Sequence, residues 1–349
     1  MSSNAKTRAG RNRVTVKDLA RDLGMSVSTV SRAFYPDAVI ASETRRIVLK
    51  RAEEIGYRAN PFAKSLVTKK TQIVGMVASD LANPYYPEVM TSLTGLLQSH
   101  GMNTMLVAPG QPEEIDPAVD LLLTYQPDLV IILATNFESS AREKCEAAGA
   151  PCIFFNRLSA DGLGFGVTCD NIGGGRRAAD FLIDNGHTKL AYVSAFPGAS
   201  TNVERGKGFC DRAVERGLAA PRILEAGTFS YADGYNAWRQ VSQGEAPDGI
   251  FCANDIVAIG FIEGIQENLG LKVPEDVSVV GYDDIAMAGW PSHRLTTVAQ
   301  PTKEMMETTV ELARELAGHH HQTHHEPRIV RIPPGPLVER QTTRRRSEQ

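Results

Sequence analysis

The sequence predicts an α/β protein in two parts: a small N-terminal three-helix head of the helix-turn-helix type, and a larger two-lobed body of Rossmann-like parallel sheets. Three observations predict it. Apolar residues recur at helical spacing on either side of Gly24 and again after Ser42. From Ile73 onward, short apolar runs alternate with amphipathic stretches, the pattern of parallel strands covered by helices on both faces. Charge is divided in the same way: residues 1–70 carry fifteen Lys and Arg against six Asp and Glu, the remainder twenty-two against thirty-five, although the whole 349-residue chain carries only −4. A basic head on an acidic body is the footprint of a protein whose head alone touches a polyanion.

Val16, Leu19, Ala20 and Leu23 fall at i, i+3, i+4 and i+7, one apolar stripe on a short helix that Gly24 ends. Ser26 reads as the N-cap of a second helix, with Met25 placed to staple onto Val30. On that helix Val30, Ala33 and Phe34 point inward, while Val27, Ser28, Ser31 and Arg32 point outward. The outward face has too little apolar surface for a core and suits hydrogen bonding to base edges and phosphates in a major groove. After a loop around Pro36, Ser42 is expected to cap a third helix whose Val48, Ala52 and Ile55 close a head spanning residues 14–57 and which Gly56 ends. Residues 1–13 read as a solvated basic arm. The next stretch, 58–72, is a linker in which Ala63, Leu66 and Val67 have helical spacing over about two turns, too short to hold without a partner.

The body, residues 73–342, carries apolar runs at 73–78, 104–108, 129–133, 152–155, 190–193, 249–252 and 277–282. They divide into two sets near Val167–Asp170, and the chain is expected to return to the first set after Gln300. Lobe 1 then covers about 73–169 and 300–327, and lobe 2 about 170–299 and 328–342. Ligands of such sheets lie outside the carboxyl ends of the strands, here in the cleft between lobes.

Several function classes are excluded. No run of about eighteen apolar residues marks a membrane span, and no apolar stretch follows the basic N-terminus to make a secretory signal, so the expectation is a cytoplasmic, nucleoid-associated protein with no membrane partner. The five cysteines are scattered without C-x-x-C spacing and read as buried reduced thiols. The Gly162–Gly166 run lacks dinucleotide-loop spacing, Gly206-Lys207 is followed by Gly208, and neither G-x-S-x-G nor H-E-x-x-H occurs, so no catalytic residue and no cofactor are expected. IGGGRR at 172–177 reads as a helix packed closely on its strand. Five of the eight histidines lie between Gly318 and Pro327, a tract read as a solvated loop with no metal.

Cleft candidates sit at strand ends. Asn83 and Pro84 read as N-cap and first residue of a helix after the first strand, placing Tyr85 and Tyr86 at the cleft mouth. Asn156 and Arg157 follow another strand, and Gln300 lies on the crossover. Carboxylates, amides and an arginine facing aromatic walls suit a polyol bound without reaction, since hydroxyls need both donors and acceptors. An acid/base pair, the enzyme reading, lacks a nearby nucleophile or cofactor loop.

The order of residues adds a resemblance. A-x-x-x-G-x-S-x-x-T-V-S-R, here Ala20, Gly24, Ser26, Thr29, Val30, Ser31 and Arg32, resembles the DNA-binding head of the LacI/GalR family of bacterial transcription regulators. N-P-Y-Y at 83–86, the series Ser200, Asn202, Arg205, Gly208, Phe209, and the blocks CANDIVAIG and VVGYDD resemble the same family, so the likeness covers residues 14 to about 342. It implies a sensor body of the periplasmic-binding-protein type and a homodimer or higher assembly on pseudo-palindromic double-stranded operator DNA. Its effector would be a small molecule, a sugar or sugar derivative. It further implies DNA contacts from Val16, Lys17, Ser26, Val27, Ser28, Thr29, Ser31 and Arg32, and a hinge helix in which Leu66 wedges into the minor groove beside Asn60, Ala63 and Lys64. Effector contacts implied are Tyr85, Tyr86, Asn156, Arg157, Arg205, Phe229, Asn254, Asp255, Asp283 and Gln300. Val27 and Ser28 are small where other members read bases, which implies a different operator, and Tyr35 replaces a common Asn.

Overall fold

The computed structural model describes residues 14–35, 38–60, 70–110, 114–133, 140–158, 162–318 and 326–345. The chain divides into two compact units, 1–71 and 72–349. In the first, α1 (Val16–Asp22), α2 (Val27–Ala33) and α3 (Ser42–Ile55) enclose Leu19, Ala20, Val30, Ala33, Val48 and Ala52, with Met25, Phe34 and Tyr57 packed against them. Thr15 caps α1 through a capping box: its hydroxyl accepts the Asp18 N–H, and the Asp18 carboxylate accepts the Thr15 N–H at 3.0 Å. Ser26 Oγ accepts the Thr29 N–H at 3.0 Å and so caps α2, and Gly24 makes the turn at φ +63°. Ser42, expected as a cap, is instead the first residue of α3. The N-cap is Ala41, whose side chain offers no acceptor, while its carbonyl takes the Arg45 N–H at 3.0 Å. The hinge residues Ala63, Lys64 and Leu66, the arm 1–13, Pro36 and the histidines of the 319–325 tract lie outside the described residues.

The second unit holds two six-stranded sheets. The first, in the order β11-β5-β4-β3-β1-β2, is built from β1 (Ile73–Ala78), β2 (Asn103–Val107), β3 (Leu129–Leu133), β4 (Cys152–Phe155), β5 (Phe165–Cys169) and β11 (Ile329–Ile332), all parallel. The second, β12-β10-β9-β8-β6-β7, uses β6 (Leu190–Ser194), β7 (Arg222–Glu225), β8 (Gly249–Cys252), β9 (Ser278–Asp283), β10 (Thr296–Ala299) and the antiparallel β12 (Leu337–Val338). Helices α4 (Tyr85–Ser99), α5 (Ile115–Leu123) and α6 (Ala141–Ala147) belong to the first lobe; α7 (Asn171–Asp184), α8 (Ser200–Glu215), α9 (Tyr231–Asn236), α10 (Trp238–Val241) and α11 (Asp255–Leu269) to the second. The chain crosses back after β10, and α12 (Thr302–Gly318) packs on α4 and β5. The final crossing comes after Ile332 rather than near 328, because Ile329–Ile332 pair with Gly166–Cys169 and give β5 its outer neighbour.

Five strands are too short or too mixed to stand out in the sequence: β5, β7, β10, β11 and β12. The glycines of IGGGRR let their helix approach both a strand, as expected, and a neighbouring helix. A Cβ on Gly175 would stand 2.1 Å from the Arg205 carbonyl oxygen, whereas Gly174 meets the Tyr282 ring of β9. Cys210 is half-buried, unlike the other four cysteines, which are buried. Among the described residues no helix is long and apolar enough to cross a membrane, and no cluster of three His, Cys, Asp or Glu could hold a metal.

Candidate functional site

On the head, the helical period divides α2 into two faces. Val30 and Ala33 are buried, while Val27, Ser28 and Arg32 are exposed, Val27 at 42 % despite its apolar side chain. Ser26 and Thr29 are tied to the cap, their hydroxyls 2.8 Å apart, and Ser31 is half-buried. On α1, Lys17 is exposed, but Val16 packs partly on the head core. Asn60 is exposed. An exposed helix face of small residues and one guanidinium, held rigid from behind by a core, is the surface that a major groove admits.

In the body, the carboxyl ends of β1, β4, β8 and β9 bring most of the remaining candidates together. From the first lobe, Arg157 donates from Nη2 to Asp80 Oδ2 at 3.0 Å, and Asn156 Nδ2 donates to the Tyr86 hydroxyl at 3.3 Å. The Arg157 guanidinium lies 5.4 Å from the Tyr86 ring centroid and 4.4 Å from that of Phe229, so it meets an aromatic face from the second lobe. A second tie crosses the lobes where the Leu158 N–H donates to Ser200 Oγ at 2.9 Å. Asn156 adopts φ +70°, a strained conformation outside glycine that turns the chain sharply off β4.

A second network runs through the other wall. Arg205, on α8, is 2 % exposed and stacks 3.7 Å from the Tyr282 ring centroid. Its Nε donates to Asn171 Oδ1 at 3.0 Å, its Nη1 to the Ala253 carbonyl at 2.6 Å, and its Nη2 lies 3.2 Å from Asp283 Oδ1. Gln300 Nε2 donates to the same Asp283 oxygen at 2.7 Å, and the Tyr85 hydroxyl donates to Gln300 Oε1 at 3.4 Å. Burial outweighs the Arg205 charge and pushes the Asp283 carboxyl above the usual carboxylate range. Burial likewise raises both tyrosine hydroxyls. A cavity of about 250 Å³ opens beside Tyr85, Asp283 and Gln300. A larger groove of about 770 Å³, between α11 and residues 339–345, shares none of these side chains.

Three expectations change. Tyr85 and Tyr86 are buried, at 4 % and 1 % exposure, rather than set at an open mouth. Helix α4 starts at Tyr85, with Pro84 as its N-cap, yet Asn83 Oδ1 still accepts the Tyr85 N–H at 3.2 Å. Asp255 does not face the cleft: its Oδ2 accepts the Ile285 N–H at 2.9 Å and its Oδ1 the Thr297 hydroxyl at 2.5 Å, which pins the start of α11 to the loop after β9. The neighbouring Asn254 caps α11 through Oδ1, at 3.1 Å from the Val257 nitrogen, and its buried Nδ2 has no hydrogen-bond partner among the described residues. Asp80 and Asn171 escaped the sequence reading. Asp80 stands just past the first strand, the position where such residues are to be sought, whereas nothing local marks Asn171 as the Arg205 partner.

Known proteins match along the length of this chain. The profile of the bacterial regulatory proteins of the lacI family matches residues 15–60, and that of a periplasmic binding protein-like domain matches 179–343. The chain is 31 % identical over 290 residues to the HTH-type transcriptional repressor PurR of Histophilus somni, covering 82 % of this chain and 87 % of the relative. It is 28 % identical over 302 residues to the ribose operon repressor of Escherichia coli, covering 85 % and 91 %. Among solved structures, the lac repressor dimer bound to operator and the anti-inducer ONPF superposes with a TM-score of 0.83 at 24 % identity, over 95 % of this chain and 99 % of that one. A complex of the transcriptional regulator CelR with cellobiose gives 0.70 at 26 %, over 95 % and 100 %.

Proposed function

Because the chain belongs to the lacI family of bacterial regulatory proteins, whose members are DNA-binding transcriptional repressors, we propose that it grips a pseudo-palindromic operator as a homodimer in the cytoplasm, under the control of a small sugar-like effector held between its lobes without reaction. The observation that carries this is the division of α2, with Val30 and Ala33 sealed into the head and Val27, Ser28 and Arg32 left facing out. The basic balance of residues 1–70 supplies the phosphate attraction. Two copies related by a two-fold axis present two such faces to the two half-sites of one operator.

Control follows from the cleft. The two lobes meet where the Arg157 guanidinium faces the Phe229 ring and where the Leu158 backbone N–H donates to Ser200 Oγ, and Gln300 sits on the strand-to-helix crossover that joins them. An effector that binds one lobe arrangement better than another shifts their balance, and the coupling to DNA affinity is reciprocal, about 1–3 kcal/mol. The cellobiose complex of CelR and the name of the ribose operon repressor support a carbohydrate-like ligand. The test is selection of duplexes from a random pool by the full chain at physiological ionic strength, followed by a metabolite screen for release or tightening. Enrichment of a palindromic sequence is the expected result; no preference over random competitor overturns the reading.

A further inference from the structure

The two lobes are fastened to each other by the chain's own groups on the side away from their crossovers. Those crossovers follow β5, β10 and β11, which lie toward one end of the sheets β11-β5-β4-β3-β1-β2 and β12-β10-β9-β8-β6-β7. Phe229 follows β7, the strand at the other end of the second sheet, and Ser200 opens α8 after the neighbouring β6. The Arg157 guanidinium lies 4.4 Å from the Phe229 ring centroid, and the next residue, Leu158, donates its N–H to Ser200 Oγ at 2.9 Å. From the first lobe, Asp80 Oδ2 accepts Arg157 Nη2 at 3.0 Å, and the Tyr86 ring centroid stands 5.4 Å from the same guanidinium. Arg157, Tyr86 and Phe229 are 5 %, 1 % and 4 % exposed, so the cation meets the ring away from water, where such a contact is worth most. A hinge motion separates most what lies far from the hinge, so contacts on this side resist opening.

The anchor in the first lobe is fixed by its backbone. Asp80 and Asn156 adopt φ +62° and +70°, conformations that are costly outside glycine and persist where the surroundings determine them. We propose that Arg157 is an internal latch, whose guanidinium, tethered to Asp80, covers the Phe229 ring and holds the lobes together in the effector-free chain. Each partner in the contact is a residue of this chain, so closure draws on nothing from outside. The latch is also a competitor. An effector group that stacks on the same face of Phe229 has first to displace the guanidinium, and its apparent affinity falls by the fraction of molecules that stay latched. Arg157 thereby sets how readily the cleft accepts a ligand, whatever that ligand is.

The test is hydrogen exchange of the full-length, effector-free protein, read residue by residue after fragmentation of deuterated peptides. The Leu158 N–H reports the bond between lobes; the Asn156 N–H, which donates to the Val167 carbonyl at 2.8 Å within the first sheet, is the control two residues away. Protection is taken relative to the unfolded rate of each sequence. Phe229→Leu and Arg157→Met are each expected to lower the Leu158 protection at least about tenfold, while that of Asn156 changes less than about threefold. Both variants break one contact, so the double variant loses no more than the larger single loss. Thermal melting shows which variants are folded, and Phe229→Leu, the milder change, carries the test if Arg157→Met does not fold. Unchanged Leu158 protection in a folded variant, an equal loss at Asn156, or additive losses in the double variant overturns the latch. No duplex enters the measurement, so an absent operator preference removes the regulator reading and leaves the latch standing, while a failed latch leaves the regulator reading as it is.

Discussion

Arg205 and Asp283 stand 3.2 Å apart with their side chains 2 % and 4 % exposed, one on α8 and the other at the end of β9, so that a single buried ion pair ties a helix of the second lobe to the floor of the cleft. Removing the cation strands the anion. Arg205→Ala is expected to lower the unfolding free energy of the body by about 3–5 kcal/mol, read by urea titration. Burial already holds the Asp283 carboxyl above its ordinary range, and loss of Arg205 raises it further. A group with a raised folded pKa is best tolerated below its unfolded pKa and costs stability as pH rises through the folded value. The deficit of the variant is therefore smaller at pH 4 than at pH 7, and an equal deficit at both would contradict this account.

Gly208 lets α7 and α8 touch. A Cβ there would stand 2.1 Å from the Ile172 carbonyl oxygen and 2.9 Å from its carbonyl carbon, and backbone cannot yield as a side chain does. Gly208→Ala should cost about 1–3 kcal/mol and displace Arg205, which sits one turn earlier on the same helix. Urea unfolding measures the first effect, and effector titration the second.

His187 is 1 % exposed, with neither ring nitrogen hydrogen-bonded among the described residues. Burial lowers its pKa below 6.5; Asp248 opposes the shift and Arg344 adds to it. A depressed histidine contributes stability that is present above the unfolded pKa and lost as pH falls through the folded one. The melting temperature of the body should fall as pH drops from 7 toward 5, and His187→Phe should flatten that slope. An unchanged slope in a folded His187→Phe protein would assign the pH dependence elsewhere.

Arg32 is exposed on α2 and contributes nothing to the head core. Arg32→Ala is expected to remove about 1–3 kcal/mol of discrimination between operator and random duplex, while effector affinity measured without DNA stays unchanged. A competition shift assay with the selected operator decides it, and full retention of discrimination excludes Arg32 from base readout.

The head was nearly all legible, because short helices advertise themselves through local signals: the i, i+3, i+4 stripe of α1, the Ser26 cap and the Gly24 turn are each contained within a few residues. The Ser42 cap misled for the same reason. A residue of the right type stands beside the right position, and only the backbone path through Ala41 decides between them. In the body, β1, β3, β4 and β8 were plain as continuous apolar runs, since strands buried on both faces admit little else. Edge strands carry no such demand, which is why β7, with two exposed residues, and β12, with two residues in all, left no mark.

By itself the sequence determined the two-part architecture, the basic reading head and the cleft residues at strand ends, because hydrophobic period, charge and motif order are properties of neighbours along the chain. Only the tertiary structure decided which polar groups answer one another. It turned Asp255 inward to Ile285 and Thr297, gave Arg157 to Asp80 and Phe229, and set Arg205 against Asn171, the Ala253 carbonyl and Asp283. Partners far apart in the chain are chosen by where sheets and crossovers deliver them, and a buried polar atom's worth depends on that delivery rather than on its residue type.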